Sequence, residues 1–156
     1  MKKILILLIT FSSINLSYSQ INTDYYLKDA SKSVESWLSN LNAADFSDCW
    51  KGLSVEVQSK FDSLDWVTGI SNMMNSFGDF EGRTETSREF KSSFDGLSDG
   101  YYAIFSYKSN YKSTLQHTEE LVLHQNNKRK WKILVYSYEC RELENNFLPD
   151  KNNVSY

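Results

Sequence analysis

Tyr101-Tyr102-Ala103-Ile104-Phe105-Ser106-Tyr107 is the stretch on which the fold of this chain turns. Side chains two apart share one face of a pleated strand, and here the odd positions carry Tyr, Ala, Phe and Tyr. Leu115, Leu121 and Leu123 repeat that parity, as do Trp131, Ile133 and Val135, in runs rich in strand-favouring residues. The pattern predicts three consecutive antiparallel strands whose odd face is the core face. Directly opposed residues share a face, so the apolar pattern also constrains register. Setting Leu123 opposite Trp131 and Leu121 opposite Ile133 leaves a three-residue turn at Asn126, Asn127 and Lys128 and puts Glu119 opposite Val135. Setting Leu115 opposite Tyr111 puts Leu121 against Phe105 and Glu119 against Tyr107. One carboxylate is therefore expected on the core face.

Upstream, Phe80 to Phe94 alternates charges and hydroxyls, as an edge strand does to discourage unwanted pairing. Before it the period changes to that of helices. Ala30, Val34, Trp37, Leu38 and Leu41 line one face of a helix ending near Asn42, with Thr23 or Asp24 as its cap. A short helix over 45–51 presents Phe46, Cys49 and Trp50, and a further turn or two follows Ser54. Ser63 then opens a helix striped by Trp66, Ile70, Met73, Met74 and Phe77 and stopped by Gly78. These stripes, Trp50 and Trp66 included, are packing faces. The expected fold class is α+β, with N-terminal helices packed on a curved antiparallel sheet of about four strands.

The even parity of the meander is less polar than a free surface requires. Tyr102, Ile104, Val122, Leu134, Tyr136 and Tyr138 lie on it beside Lys108, Glu120 and Lys132. Either the C-terminal tail covers it through Phe147 and Leu148, or its tyrosines lie flat in water, or it meets a partner, a second copy of the chain in a homodimer included.

Residues 1–19 read as a signal peptide: Lys2 and Lys3, an apolar run from Ile4 to Phe11 too short to span a bilayer, and small residues at Ser17 and Ser19. Removal at Gln20 leaves 137 of the 156 residues and takes the formal charge from −3 to −5. The expectation is a periplasmic or secreted product with no membrane span, one domain over 20–140 and a polar tail over 141–156. An acidic balance without a basic stripe argues against nucleic acid. Lys128-Arg129-Lys130, the densest basic run, reads as a solvated turn. Cys49 and Cys140 are the only cysteines; in an oxidising compartment a disulfide between them and two buried thiols are both open readings.

For chemistry, the register offers Tyr107, Glu119 and, toward the strand end on the same face, His117. A buried carboxylate beside a phenol can serve as a general acid or base. An isolated glutamate on a sheet is more often neutralised by arginine, and Arg83 and Arg88 on the adjacent strand are at hand. His117 and His124 are seven apart, hence on opposite faces, which excludes a shared metal from that strand; surface positions are expected for both. No metal or cofactor motif is present.

Trp37-Leu38, Phe46 to Ser54, Trp66, Ser87-Arg88, Asp99-Gly100-Tyr101, Glu119 and Trp131-Lys132-Ile133 to Tyr136 together resemble an exported bacterial family, domain of unknown function 4019, over most of 25–139. The resemblance implies a cone-shaped fold like nuclear transport factor 2 and the cystatin-like superfamily, in which a sheet wraps around helices and can leave a pocket. It implies no activity. The pocket candidates are Tyr107, Glu119, His117 and Arg88. The expected function is a non-catalytic module binding a small ligand or a protein. The alternative is a small isomerase- or dehydratase-like enzyme using the pocket carboxylate.

Overall fold

A computed structural model describes residues 22–143; the stretch 1–19 expected to be a signal peptide and the tail from Glu144, with Phe147 and Leu148, lie outside the described residues. Four helices precede four strands: α1 (Thr23–Asn42), α2 (Phe46–Gly52), α3 (Val55–Gln58), α4 (Ser63–Phe77), β1 (Phe80–Lys91), β2 (Tyr102–Tyr111), β3 (Thr114–Gln125) and β4 (Trp131–Glu142). The strands form one antiparallel sheet in the order β1-β2-β3-β4, so the α+β layout and the strand count stand as expected. β4 continues two residues past the boundary drawn at Cys140.

Ala30, Val34, Trp37, Leu38 and Leu41 of α1 are buried, together with Phe105, Leu121, Leu123, Trp131 and Ile133 of the sheet. The odd face is thus the core face. α1 lies against the sheet, and α2 joins it to α4. Trp37 and Cys49 lock α1 to α2 reciprocally: the indole Nε1 donates to the Cys49 carbonyl at 3.0 Å, and the thiol donates to the Trp37 carbonyl at 3.6 Å. Burial, with Asp45 and Asp48 nearby, pushes the Cys49 thiol up to about 12. Cys140 sits on β4 beyond Glu139, and no disulfide joins the two. Asn22 and Asp62, one position ahead of the expected caps, accept the first free N–H groups of α1 and α4. The α2–α3 junction touches the sheet once, where Ser54 N donates to the Ile133 carbonyl at 2.7 Å beside a parallel bridge from Leu53.

Register is as expected between β2 and β3, where Phe105 opposes Leu121 and Tyr107 opposes Glu119. Between β3 and β4 it differs. The hairpin loop is five residues, 126–130, because Asn126 folds it: its side chain accepts from Lys128 N and Lys130 N, and its backbone pairs with Lys130. Leu123 therefore meets Ile133. A bulge between Val122 and Leu123 then absorbs Leu134 and inverts parity, so Val135 is exposed while Tyr136 faces Leu121 and Tyr138 faces Glu119. A second irregularity, with Gln116 at φ 52°, turns Leu115 out to water. On the opposite sheet face the β1–β2 loop covers Tyr102: its hydroxyl donates to the Ser98 carbonyl at 2.5 Å, and its ring lies between Phe94 and His124.

Gly78 ends α4 at φ 76°, where an added Cβ would meet Ser113 Oγ at 2.6 Å, whereas Gly69 sits in mid-helix with open space around it. Gly78→Ala should lower stability by about 1–3 kcal/mol, and Gly69→Ala should raise it by about 1 kcal/mol, measured by urea unfolding.

Candidate functional site

Glu119, on β3, is fully enclosed, and its neighbours come from every other strand. Arg83 on β1 grips it with both nitrogens: Nε contacts Oε2 and Nη2 donates to Oε1 at 2.9 Å. Ser109 and Tyr111 on β2 follow, with the Ser109 hydroxyl on Oε2 and the Tyr111 hydroxyl donating to Oε1 at 2.9 Å. From β4, Tyr136 donates to Oε1 at 2.6 Å. A carboxylate offers about four lone-pair directions, and five donors fill them. Arg83 also donates to Ser109 Oγ at 3.1 Å and Tyr111 OH at 2.9 Å, so those hydroxyls accept from the cation and donate to the anion. Phe80 lies under the guanidinium at 4.8 Å. The Arg83 side chain is 8% exposed and that of Glu119 0%.

Burial alone would raise the Glu119 carboxyl, but the Arg83 hydrogen bonds and charge, helped by Ser109 and Tyr136, overcome it and hold the group below the usual carboxylate range. Arg83 is raised despite its own burial, by the same pair. The phenols of Tyr111 and Tyr136 are pushed up, first by burial and then by the Glu119 charge, so they stay protonated as donors. The site is a satisfied ion pair.

His117 lies beside it and is buried, contrary to the surface position expected. Its ring stands edge-on to Phe77 of α4 and stacks on Tyr138, with Tyr111 on a third side. Nδ1 pairs with Thr114 Oγ1 at 3.1 Å, while Nε2 has no hydrogen-bond partner and lies 4.0 Å from Glu119 Oε1. Burial holds this imidazole below its ordinary value.

The expected cluster is corrected at two residues. Tyr107 opposes Glu119 in register but gives it no hydrogen bond; its phenol belongs to the apolar core and is pushed up to about 12, mainly by burial. Arg88 pairs instead with Glu85, at 2.6 and 2.8 Å, over the Phe105 ring. A bulge at Thr86 separates it from Arg83 and changes which parity of β1 faces inward. Tyr136 was on the wrong parity without the β4 bulge, and Ser109 and Tyr111 share the odd parity of Tyr107, the one sequence signal that marked them. Among the described residues no set of three His, Cys, Asp or Glu side chains converges as a metal site, and no helix is long and apolar enough to cross a membrane.

A family model described as a protein of unknown function, DUF4019, matches residues 33–136. The chain belongs to this family. The match takes in Glu119, Arg83, Ser109, Tyr111 and Tyr136, the whole buried network. No curated protein matches the chain.

Removing one partner of a buried pair strands the other, so Arg83→Met and Glu119→Leu should each cost about 3–5 kcal/mol, with the double variant losing clearly less than their sum; a double-mutant cycle in urea measures the coupling. Both titrations act in the same direction with pH. His117 is depressed as a base, so stability falls as pH drops below about 6.5. Glu119 is depressed as an acid, so its contribution is present above about pH 4.3 and is lost on further acidification through its folded value. Urea midpoints from pH 7 to 3 should fall in those two stages, and His117→Gln should flatten only the upper one.

Proposed function

We propose that this protein is an exported, non-catalytic binding module that meets its partner on the outer face of the sheet. One observation carries the reading. The one buried carboxylate among the described residues has every lone pair engaged by Arg83, Ser109, Tyr111 and Tyr136, which leaves it nothing with which to take a proton from a substrate. These five donors support a structural role for Glu119 over a catalytic one. Over the same strands lies an open groove of about 510 Å³, lined by the outward-facing Thr86, Ser106, Lys108, Thr118, Glu120 and Ser137 and also by Tyr107, Glu119 and Tyr138, the Glu119 side chain itself being 0% exposed. Sites for small ligands begin at roughly 300 Å³.

A second copy of the chain fits this face. Lys108 stands on β2, and Glu120 and Glu139 on β3 and β4, so a two-fold contact sets the lysine of one copy toward the glutamates of the other. Export is inferred from Lys2, Lys3 and the apolar run after them.

Thr118 is exposed and at the centre of the groove, so Thr118→Arg blocks the face without disturbing the core. In sedimentation equilibrium the mature chain should associate and Thr118→Arg should be monomeric, with an unchanged melting temperature. A wild type that stays monomeric at tens of micromolar and whose melting temperature answers to no class of small ligand overturns the proposal, as does an association that Thr118→Arg leaves intact.

A further inference from the structure

The hairpin loop 126–130 is basic, and in sequence it reads as a solvated turn. The structure divides that run. Arg129 and Lys130, with Lys132 at the start of β4, line a cleft of about 380 Å³ whose other wall is α1, through Asp29, Lys32 and Ser36. The end of α2 closes it with Asp48 and Gly52. Four cations from two distant segments thus face two carboxylates, on a chain whose formal charge is −3.

The carboxylates are already engaged. Asp29 pairs with Lys32 at 3.6 Å, and Asp48 with Lys51 at 2.5 Å. Among the described residues Arg129, Lys130 and Lys132 have no carboxylate within ion-pair distance. The Lys132 ammonium spends one donor on the Lys51 carbonyl at 2.7 Å and keeps two.

The basic residues are held in place. Asn126 takes Lys128 N and Lys130 N on its side chain at 3.0 and 2.9 Å and Arg129 N on its carbonyl at 2.8 Å, with Arg129 at φ 57°. Trp131, also in the cleft lining, is 4% exposed and packs into the core, where its indole N–H is buried with no acceptor. An oxyanion supplies the counter-charge that Arg129, Lys130 and Lys132 lack.

We infer that the cleft between α1, α2 and the β3–β4 loop binds a small ligand through an oxyanion group, carboxylate or phosphate. Arg129 supplies the forked donor suited to either group, and Lys130 and Lys132 supply point charges. This surface lies apart from the outer-face groove and shares none of its lining residues.

Inorganic pyrophosphate and citrate serve as probes, titrated into the mature protein at constant ionic strength and read by thermal shift and calorimetry. At least one should raise the melting temperature along a saturable curve, and which of them binds tighter distinguishes a phosphate from a carboxylate ligand. Arg129→Asn with Lys130→Gln removes two exposed charges, and asparagine suits the left-handed backbone at 129, so the ligand-free melting temperature should hold while affinity drops at least tenfold. Lys132→Gln, which removes the third cation of the cleft, should weaken binding several-fold with the probe stoichiometry unchanged. Thr118→Arg should leave probe binding untouched, which separates this site from the outer face. A shift that merely tracks ionic strength, no shift with either probe, or equal affinity in the double variant overturns the inference.

Discussion

A carboxylate taken out of water costs several kcal/mol unless a counter-charge and hydrogen bonds replace its hydration, and the sheet is arranged to supply both to Glu119. Arg83 reaches it from β1, Ser109 and Tyr111 from β2, and Tyr136 from β4. One anion thereby ties all four strands. A slip of any of them by one residue would send a donor to the opposite face and leave a charge buried without its partner. The network contributes less through its net energy, which an apolar replacement could match, than through the penalty it attaches to other registers.

That penalty explains the irregularities. Regular alternation on β4 would point Tyr136 outward and Val135 inward; the bulge that absorbs Leu134 delivers a hydroxyl where the carboxylate requires one. The bulge at Thr86 does the comparable work on β1, where Arg83 faces Glu119 and Arg88 is carried to Glu85 and the Phe105 ring. α4 completes the enclosure by setting Phe77 against Tyr111, His117 and Tyr138.

Parity was legible wherever the strands are regular. Tyr101 to Tyr107 and Leu121 to Leu123 carry their faces in the alternation itself, and opposing them placed Glu119 inside before any coordinate was known. The bulges were not legible, because an inserted residue leaves the composition of a run unchanged and shows only in which neighbour it meets. The alternation sets Tyr107 opposite Glu119 along the backbone, while the phenols that bond the carboxylate are those of Tyr111 and Tyr136. The hairpin loop failed for a different reason: Asn126 acts through its side chain as an acceptor for two N–H groups, which lengthens a turn that apolar spacing alone draws short. The helical half was clearer, since its stripes need only a period and a cap, and the caps moved by a single residue.

A polar cluster in a core invites a catalytic reading, and the way its charge is held supports the structural reading proposed above. Proton transfer needs a group whose two protonation states are close in free energy near the working pH, whereas Arg83 and the surrounding donors hold the Glu119 carboxyl below its ordinary value, and burial with the Glu119 charge raises Tyr111 and Tyr136. Groups driven apart in this way and sealed from substrate stabilise a fold. In the proposed reading, recognition belongs to surfaces whose charges are unspent. The overall acidity of the chain does not oppose an anion at the α1–α2 cleft, because screening limits exposed charges to about 8 Å at physiological salt. Within that distance the field is set by Lys32, Arg129, Lys130 and Lys132 against Asp29 and Asp48, and the acidic residues farther off contribute little to it.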